Sequence, residues 1–162
     1  CDFITLIPTN LYGFNDNYDI ENGHVLPSLI HKAFIAKKEN KPLVVWGTGK
    51  PLREFVFVDD MANISLQCLK KYDSSIPLIV SPDEEVTIEY VVKIIGNTVG
   101  VECVFDHSKP DGQMRKPSNN NRFKSLFPIF EFTSVSEGLG IAISSFAYNW
   151  KNKIPMRGVT YE

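Results

Sequence analysis

Short apolar runs alternate with apolar residues at helical spacing along most of this chain, and that alternation places it in the α/β class. "FITLI", Phe3 to Ile7, is apolar nearly throughout, the pattern of a strand covered on both faces in a parallel sheet. Pro8 ends it, and "PTNLYG" and "FNDNYDIENG" follow as polar loops with Gly13 as a breaker. Leu26, Leu29, Ile30 and Ala33 then predict a helix, with Pro27 near the first turn where its missing N–H costs little. "PLVVWG" and "REFVFVDD" read as two strands joined by a glycine-rich turn, "GTGKP". Asp59 or Asp60 caps the next helix, whose stripe is Met61, Ile64, Cys68 and Leu69.

"IPLIVS" is another buried strand. Thr87 caps a helix carrying Ile88, Val91, Val92, Ile95 and Val99, closed near Gly100. "VECVFD" is a strand and "HSKPDGQMRKPSNNN" a long polar loop. Ser134 with Glu137 forms a capping box ahead of Leu139, Ala142, Ile143, Phe146 and Trp150. The tail "KNKIPMRGVTYE" has no periodicity and reads either as disordered or as an appendage foreign to the natural protein. The chain opens inside an apolar run without an initiator Met, which reads as a piece of a longer protein.

A composition of 43% hydrophobic and 22% charged residues is that of a globular protein. The net charge of −2 argues against nucleic acid or an anionic membrane as partner, so an anionic ligand would need local cations. Three cysteines without a CxxC pair make neither a disulfide framework nor a zinc site, no metal is expected, and a reducing, cytoplasmic setting fits.

Three polar clusters could carry chemistry. In the first, Trp46, the turn, Lys50 and Arg53 offer an aromatic face and a planar cationic fork, suited to a base or sugar and a phosphate. A core-edge Trp and a solvated Arg account for the same residues. The second, Ser108 to Lys116, holds three cations, an acid and Gly112, and is either functional or a solvated loop. The third, "IPTNLYG", follows a strand where open α/β sheets bind ligands. His24 stands ahead of a helix, where a lone histidine is either an acid–base group or the end of a loop. His31, on the helix's polar side, and His107, in a loop, read as structural or solvated.

"IPTNLYG", "NGHVLPSLIHK", "VVWGTGKPLREFVFVDDMA" and "FDHSKPDGQMRK" together resemble, in order and spacing, the C-terminal half of the GDP-L-fucose synthases. Those enzymes are extended short-chain dehydrogenase/reductases that epimerise GDP-4-keto-6-deoxy-D-mannose at C3 and C5 and reduce C4 with NADPH. The likeness runs from Phe3 to about Trp150; "GHVLP", "WGTGKPLREF" and "SKPDGQ" are its most specific parts. It implies that Pro8, Thr9, Asn10 and Leu11 line the nicotinamide end of NADP, with His24 touching the cofactor and acting as an acid. It also implies that Lys32, Trp46, Arg53 and Asp111 contact the GDP-sugar.

The resemblance further implies a division into residues 1–20, the last strand and loop of the NADP-binding Rossmann domain, residues 21–150, a nucleotide-sugar-binding domain, and a tail, 151–162. The glycine-rich loop, the Tyr-xxx-Lys pair and the catalytic Ser and Cys of the family would then lie upstream, with Cys1 at a strand position. The fragment alone is expected to be inactive, and the whole protein a cytoplasmic homodimer paired through the missing N-terminal half. Alternatives are another NAD(P)-dependent nucleotide-sugar epimerase, reductase or dehydratase, and a non-catalytic nucleotide-sugar-binding module.

Overall fold

The computed structural model describes residues 3–161, so the strand position expected for Cys1 lies outside them. Strands β1 (Leu6–Pro8), β2 (Asn10–Tyr12), β3 (Leu43–Trp46), β4 (Leu52–Arg53), β5 (Phe55–Phe57), β6 (Leu78–Val80), β7 (Val86–Thr87) and β8 (Cys103–Asp106) interleave with five helices. These are α1 (Val25–Lys38), α2 (Val58–Lys71), α3 (Ile88–Val99), α4 (Asn121–Leu126) and α5 (Val135–Lys151). The strands form four two-stranded sheets: β1 with β6, β2 with β5 and β3 with β8, all parallel, and β4 with β7, antiparallel.

Two helices follow their caps closely. Thr87 Oγ1 accepts from Tyr90 N, and Gly100 ends α3 in the left-handed region at φ 76°. Ser134 accepts from Glu137 N at the start of α5, whose stripe from Leu139 to Phe146 is buried. For α2 the expectation fails: the N-cap is Phe57 with no side-chain bond. Asp60, already in the first turn, instead accepts from Thr133 N and Oγ1 at 2.8 and 3.0 Å. Leu69 is also no core residue, being 74% exposed on α2.

Two hydrophobic cores result. The larger gathers α1, α3 and α5 around β2, β3 and β5, with Phe146 against Tyr18, Phe34 and Trp150. The smaller joins Ile64 and Cys68 of α2, Leu78 and Val80 of β6, and Phe123 of α4, with Leu6 of β1 packed against them. A boundary near residue 20 therefore does not separate the cores, because the chain returns to β1 through α2 and β6.

Other expectations are corrected. β1 starts at Leu6, not Phe3, and its Ile7 is 47% exposed, so one face of that strand is bare. β3 and β4 do not form a hairpin, since each pairs with a strand from farther along the chain. His31 is buried, not on a polar face: Phe146 and Trp150 of α5 cover it, and its Nδ1 bonds the Tyr18 carbonyl at 2.8 Å. The tail is ordered, with Met156 and Val159 on the larger core, Arg157 O accepting from Tyr18 N, and Tyr161 beside Trp150. Among the described residues no helix is long and apolar enough to cross a membrane, and no cluster of potential metal ligands forms.

Candidate functional site

One face of α1 builds the first wall of a cavity of about 290 Å³. Val25, Ser28, Leu29 and Lys32 recur at the three- and four-residue steps that align side chains on a helix, and all four line it. β3 supplies the second wall. Its side chains alternate, Leu43 and Val45 inward and Val44 and Trp46 outward, so Trp46 stands 68% exposed over the opening. Arg53 of β4 and the loop residues Pro110, Asp111 and Gly112 complete the enclosure. Lys32, Trp46, Arg53 and Asp111, scattered along the sequence, thus meet at one cavity.

The loop after β8 is strapped down over this cavity. Thr48 N and Oγ1 donate to the Asp111 carboxylate at 2.8 and 2.7 Å, and Leu52 N donates to Met114 O at 2.8 Å. Arg115 forks onto Glu85, and Ser118 N donates to the buried Glu54 carboxylate at 3.0 Å. The Thr48 bonds hold the Asp111 carboxyl below its ordinary range, so it is charged near neutrality. Both its oxygens are engaged by the turn, which makes Asp111 the latch of the strap as well as a lining residue. Arg53 gives one N–H to its neighbour's carbonyl, Leu52 O, at 2.6 Å, which leaves the rest of its fork unspent.

A second cavity, about 430 Å³, is lined by Thr9 through Asp16, His24 and Val58. Thr9, Asn10, Leu11 and His24 therefore share a wall, while Pro8 is not on it. Thr9 Oγ1 and Tyr12 Oη are buried here without hydrogen-bond partners. Asn10 is committed structurally, its amide donating to Glu54 O at 2.7 Å. His24 is the N-cap of α1, and its exposed ring makes no capping bond. The first turn of α1 separates the two cavities, with His24 on one side and Val25 and Ser28 on the other.

Sequence reasoning missed several residues that hold this arrangement. Thr48 was hidden in a turn motif, Lys109 in a generally cationic loop, and Glu54 in an apolar strand where a lone acid gave the only signal. Burial drives the Tyr12 phenol far up, so it is neutral at any physiological pH.

Residues 1–80 match the model of the NAD dependent epimerase/dehydratase family. The chain is 39% identical over 155 residues to the GDP-L-fucose synthase of Dictyostelium discoideum, covering 93% of this chain and 48% of that protein. To the GDP-L-fucose synthase of Escherichia coli K12 it is 35% identical, over 97% of this chain and 51% of that one. The crystal structure of a GDP-L-fucose synthetase from Naegleria fowleri superposes with a TM-score of 0.89 at 37% identity, over 92% of this chain and 46% of that chain. A second structure of the Naegleria protein, bound to NADP, gives 0.88. A UDP-glucose 4-epimerase from Thermotoga maritima, 19% identical at a TM-score of 0.73, shares the fold. The chain spans about half the length of the curated relatives it matches. The expected placement in the C-terminal half of such a protein is not confirmed by these matches, which cover about half of each relative. Over residues 1–80 the chain resembles the NAD dependent epimerase/dehydratase family, and over more than nine-tenths of its length it is similar to about half of a GDP-L-fucose synthase.

Proposed function

We propose that this chain is the nucleotide-sugar-binding part of a GDP-L-fucose synthase, joined to a piece of the cofactor-side sheet. The whole protein would epimerise GDP-4-keto-6-deoxy-D-mannose at C3 and C5 and reduce C4 to give GDP-L-fucose. The observation that carries this reading is the meeting of Lys32, Trp46 and Arg53 at one cavity, separated by a single helical turn from the cavity that holds His24. An indole offers a flat apolar surface to a base or sugar, and a guanidinium fork fits phosphate oxygens two at a time. On a protein of net charge −2, local cations must supply the attraction for a diphosphate.

The cofactor of this reading is NADP(H), which supplies the hydride for C4 when bound. Thr9, Asn10, Leu11 and His24 would hold its nicotinamide end, and the unspent hydroxyl of Thr9 fits such a neighbour. The sequence contains no GxGxxG loop to cradle a dinucleotide pyrophosphate and no Tyr-xxx-Lys pair. Those functions fall to other parts of the whole protein.

The ketone at C4 acidifies the protons on C3 and C5, so a base removes one while an acid returns another to the opposite face. His24 is the acid in this reading. Its ring is exposed, free of a capping bond, and placed where the two cavities adjoin, and imidazole is the side chain most often used as an acid–base group. Lys32 and Arg53 anchor the diphosphate, which is remote from the reacting carbons and so orients the sugar. The division into parts follows the two cores: β1, α2, β6 and α4 on the cofactor side, and the rest, with the ordered tail, on the sugar side. A cytoplasmic homodimer completes the reading. It is tested by supplying the full-length protein with NADPH and GDP-4-keto-6-deoxymannose and resolving the products by NMR. GDP-L-fucose is expected, and its absence in a folded, cofactor-binding preparation overturns the assignment.

A further inference from the structure

Trp46 holds two ammonium groups, not one. Lys32 Nζ lies 5.8 Å from its ring centroid and Lys109 Nζ 5.6 Å. An exposed cation–π contact is worth only about 0.5–1 kcal/mol, so the indole places these charges without neutralising them. Among the described residues the ion pairs are Lys41–Glu39, Lys93–Glu89, Arg115–Glu85 and Lys124–Asp83; Lys32, Lys109 and Arg53 enter none. The carboxylate that feels Lys109 is Asp106, and its Oδ1 already accepts from Ser108 N and Oγ. Asp111, nearby, is spent on Thr48. Lys32 and Arg53 thus line the cavity without an ion pair, Lys109 stands beside it over Trp46, and Asp111, the acid of its lining, is occupied by Thr48.

The backbone of Lys109 is fixed on both sides. Its N–H closes a turn on Asp106 O at 3.2 Å, directly after β8, and Asp111 is latched to the GTG turn two residues later. Its side chain is exposed and carries the ammonium to the rim of the cavity. We propose that Lys109 is a binding residue of this site, closing on the diphosphate of a nucleotide-sugar from the strap while Lys32 and Arg53 hold it from α1 and β4. This rests on the proposed nucleotide-sugar reading of the cavity. Trp46 serves as the rest position for both lysines, and an arriving diphosphate draws them off the ring and relieves their mutual repulsion.

The test is calorimetric titration of the 162-residue chain with GDP and with inorganic pyrophosphate. The proteins are wild type, Lys109→Met, Lys109→Arg, Arg53→Ala and Lys70→Met, the last removing a positive charge from the exposed side of α2. Lys109→Met is expected to bind both ligands roughly tenfold more weakly, with a shallower salt dependence and an unchanged melting temperature. Lys109→Arg recovers most of the loss, and Lys70→Met matches wild type. Wild-type affinity in Lys109→Met, alongside a loss in Arg53→Ala, overturns the role of Lys109 and leaves the cavity's function standing. A loss accompanied by a lower melting temperature, or an equal loss in Lys70→Met, overturns it as well. If wild type takes up neither ligand, the diphosphate reading of the cavity fails and Lys109 with it.

Discussion

Replacing Arg53 by Ala removes the one guanidinium among the residues that line the cavity of about 290 Å³. One of its N–H groups is spent on Leu52 O, and Gly112, which carries no side chain, is the neighbour beside its Nη2. The remaining N–H groups can fork onto phosphate oxygens. Hydrogen bonds between a charged donor and a charged acceptor contribute about 1.5–3 kcal/mol. At about 1.4 kcal/mol per tenfold, that is roughly 10- to 150-fold in affinity. Arg53 is half-buried, so solvent screening favours the lower end, and a loss of about tenfold in GDP affinity is expected. Arg53→Lys keeps the charge but not the fork, so it should fall between wild type and Ala. Calorimetric titration with GDP measures the affinities, and urea unfolding of the same proteins separates binding from damage to β4. Wild-type affinity in Arg53→Ala would refute the placement of the diphosphate. So would a loss that only tracks lowered stability.

The 162-residue chain alone should oxidise no NADPH when given GDP-4-keto-6-deoxymannose, because its sequence has neither the dinucleotide loop nor the Tyr-xxx-Lys pair; nicotinamide absorbance reads this directly, and turnover above a blank refutes it. His24→Gln in the full-length protein should slow proton delivery by about 10²–10⁴-fold while sparing hydride transfer, giving reduced sugars of the wrong configuration at C3 or C5. NMR of the products with solvent deuterium uptake tests it, and normal fucose yield with normal exchange returns His24 to a loop residue. Burial holds His31 below the ordinary histidine range, against the opposing effects of the Tyr18 carbonyl and Asp19. The unfolded chain therefore takes up a proton near pH 6.5 that the fold resists, so stability is full above that pH and falls below it toward the folded-state pKa. Urea midpoints at pH 7.5 and 5.5 should drop more for wild type than for His31→Gln, and equal drops would sink the assignment.

What could be read from the sequence was local. The caps of α3 and α5 and the stripe Leu139 to Phe146 depend on neighbours within a turn or two, and they stand where expected. What could not be read depends on distant partners. β3 looks as though it should turn back onto β4, yet it pairs with β8, some sixty residues later, because α3 carries the chain across to its side. His31 reads as polar on α1 alone; only the arrival of Phe146 and Trp150 buries it. Aperiodic segments carry no local signal of order, so α4 goes unread and the tail, which packs on the larger core, reads as disordered or foreign.

The same division explains why two motifs so far apart carried the family likeness. "WGTGKPLREF" and "SKPDGQ" are separated along the chain but form one object in space, the turn and the strap that closes on it. Gly47 has φ 84°, and a Cβ there would lie 2.3 Å from Asp111 Oδ1, so the turn and the latch require glycine together. Thr48 supplies the two donors that Asp111 accepts, and Trp46 and Arg53 bracket them on the cavity wall. A substitution in either motif is therefore felt in the other. Losing the Thr48–Asp111 bonds would free the strap that carries Lys109 and Gly112, although every residue on the cavity wall is kept. The geometry makes Thr48, which shows no chemistry in the sequence, a positioning residue whose loss should mimic that of the strap's own side chains.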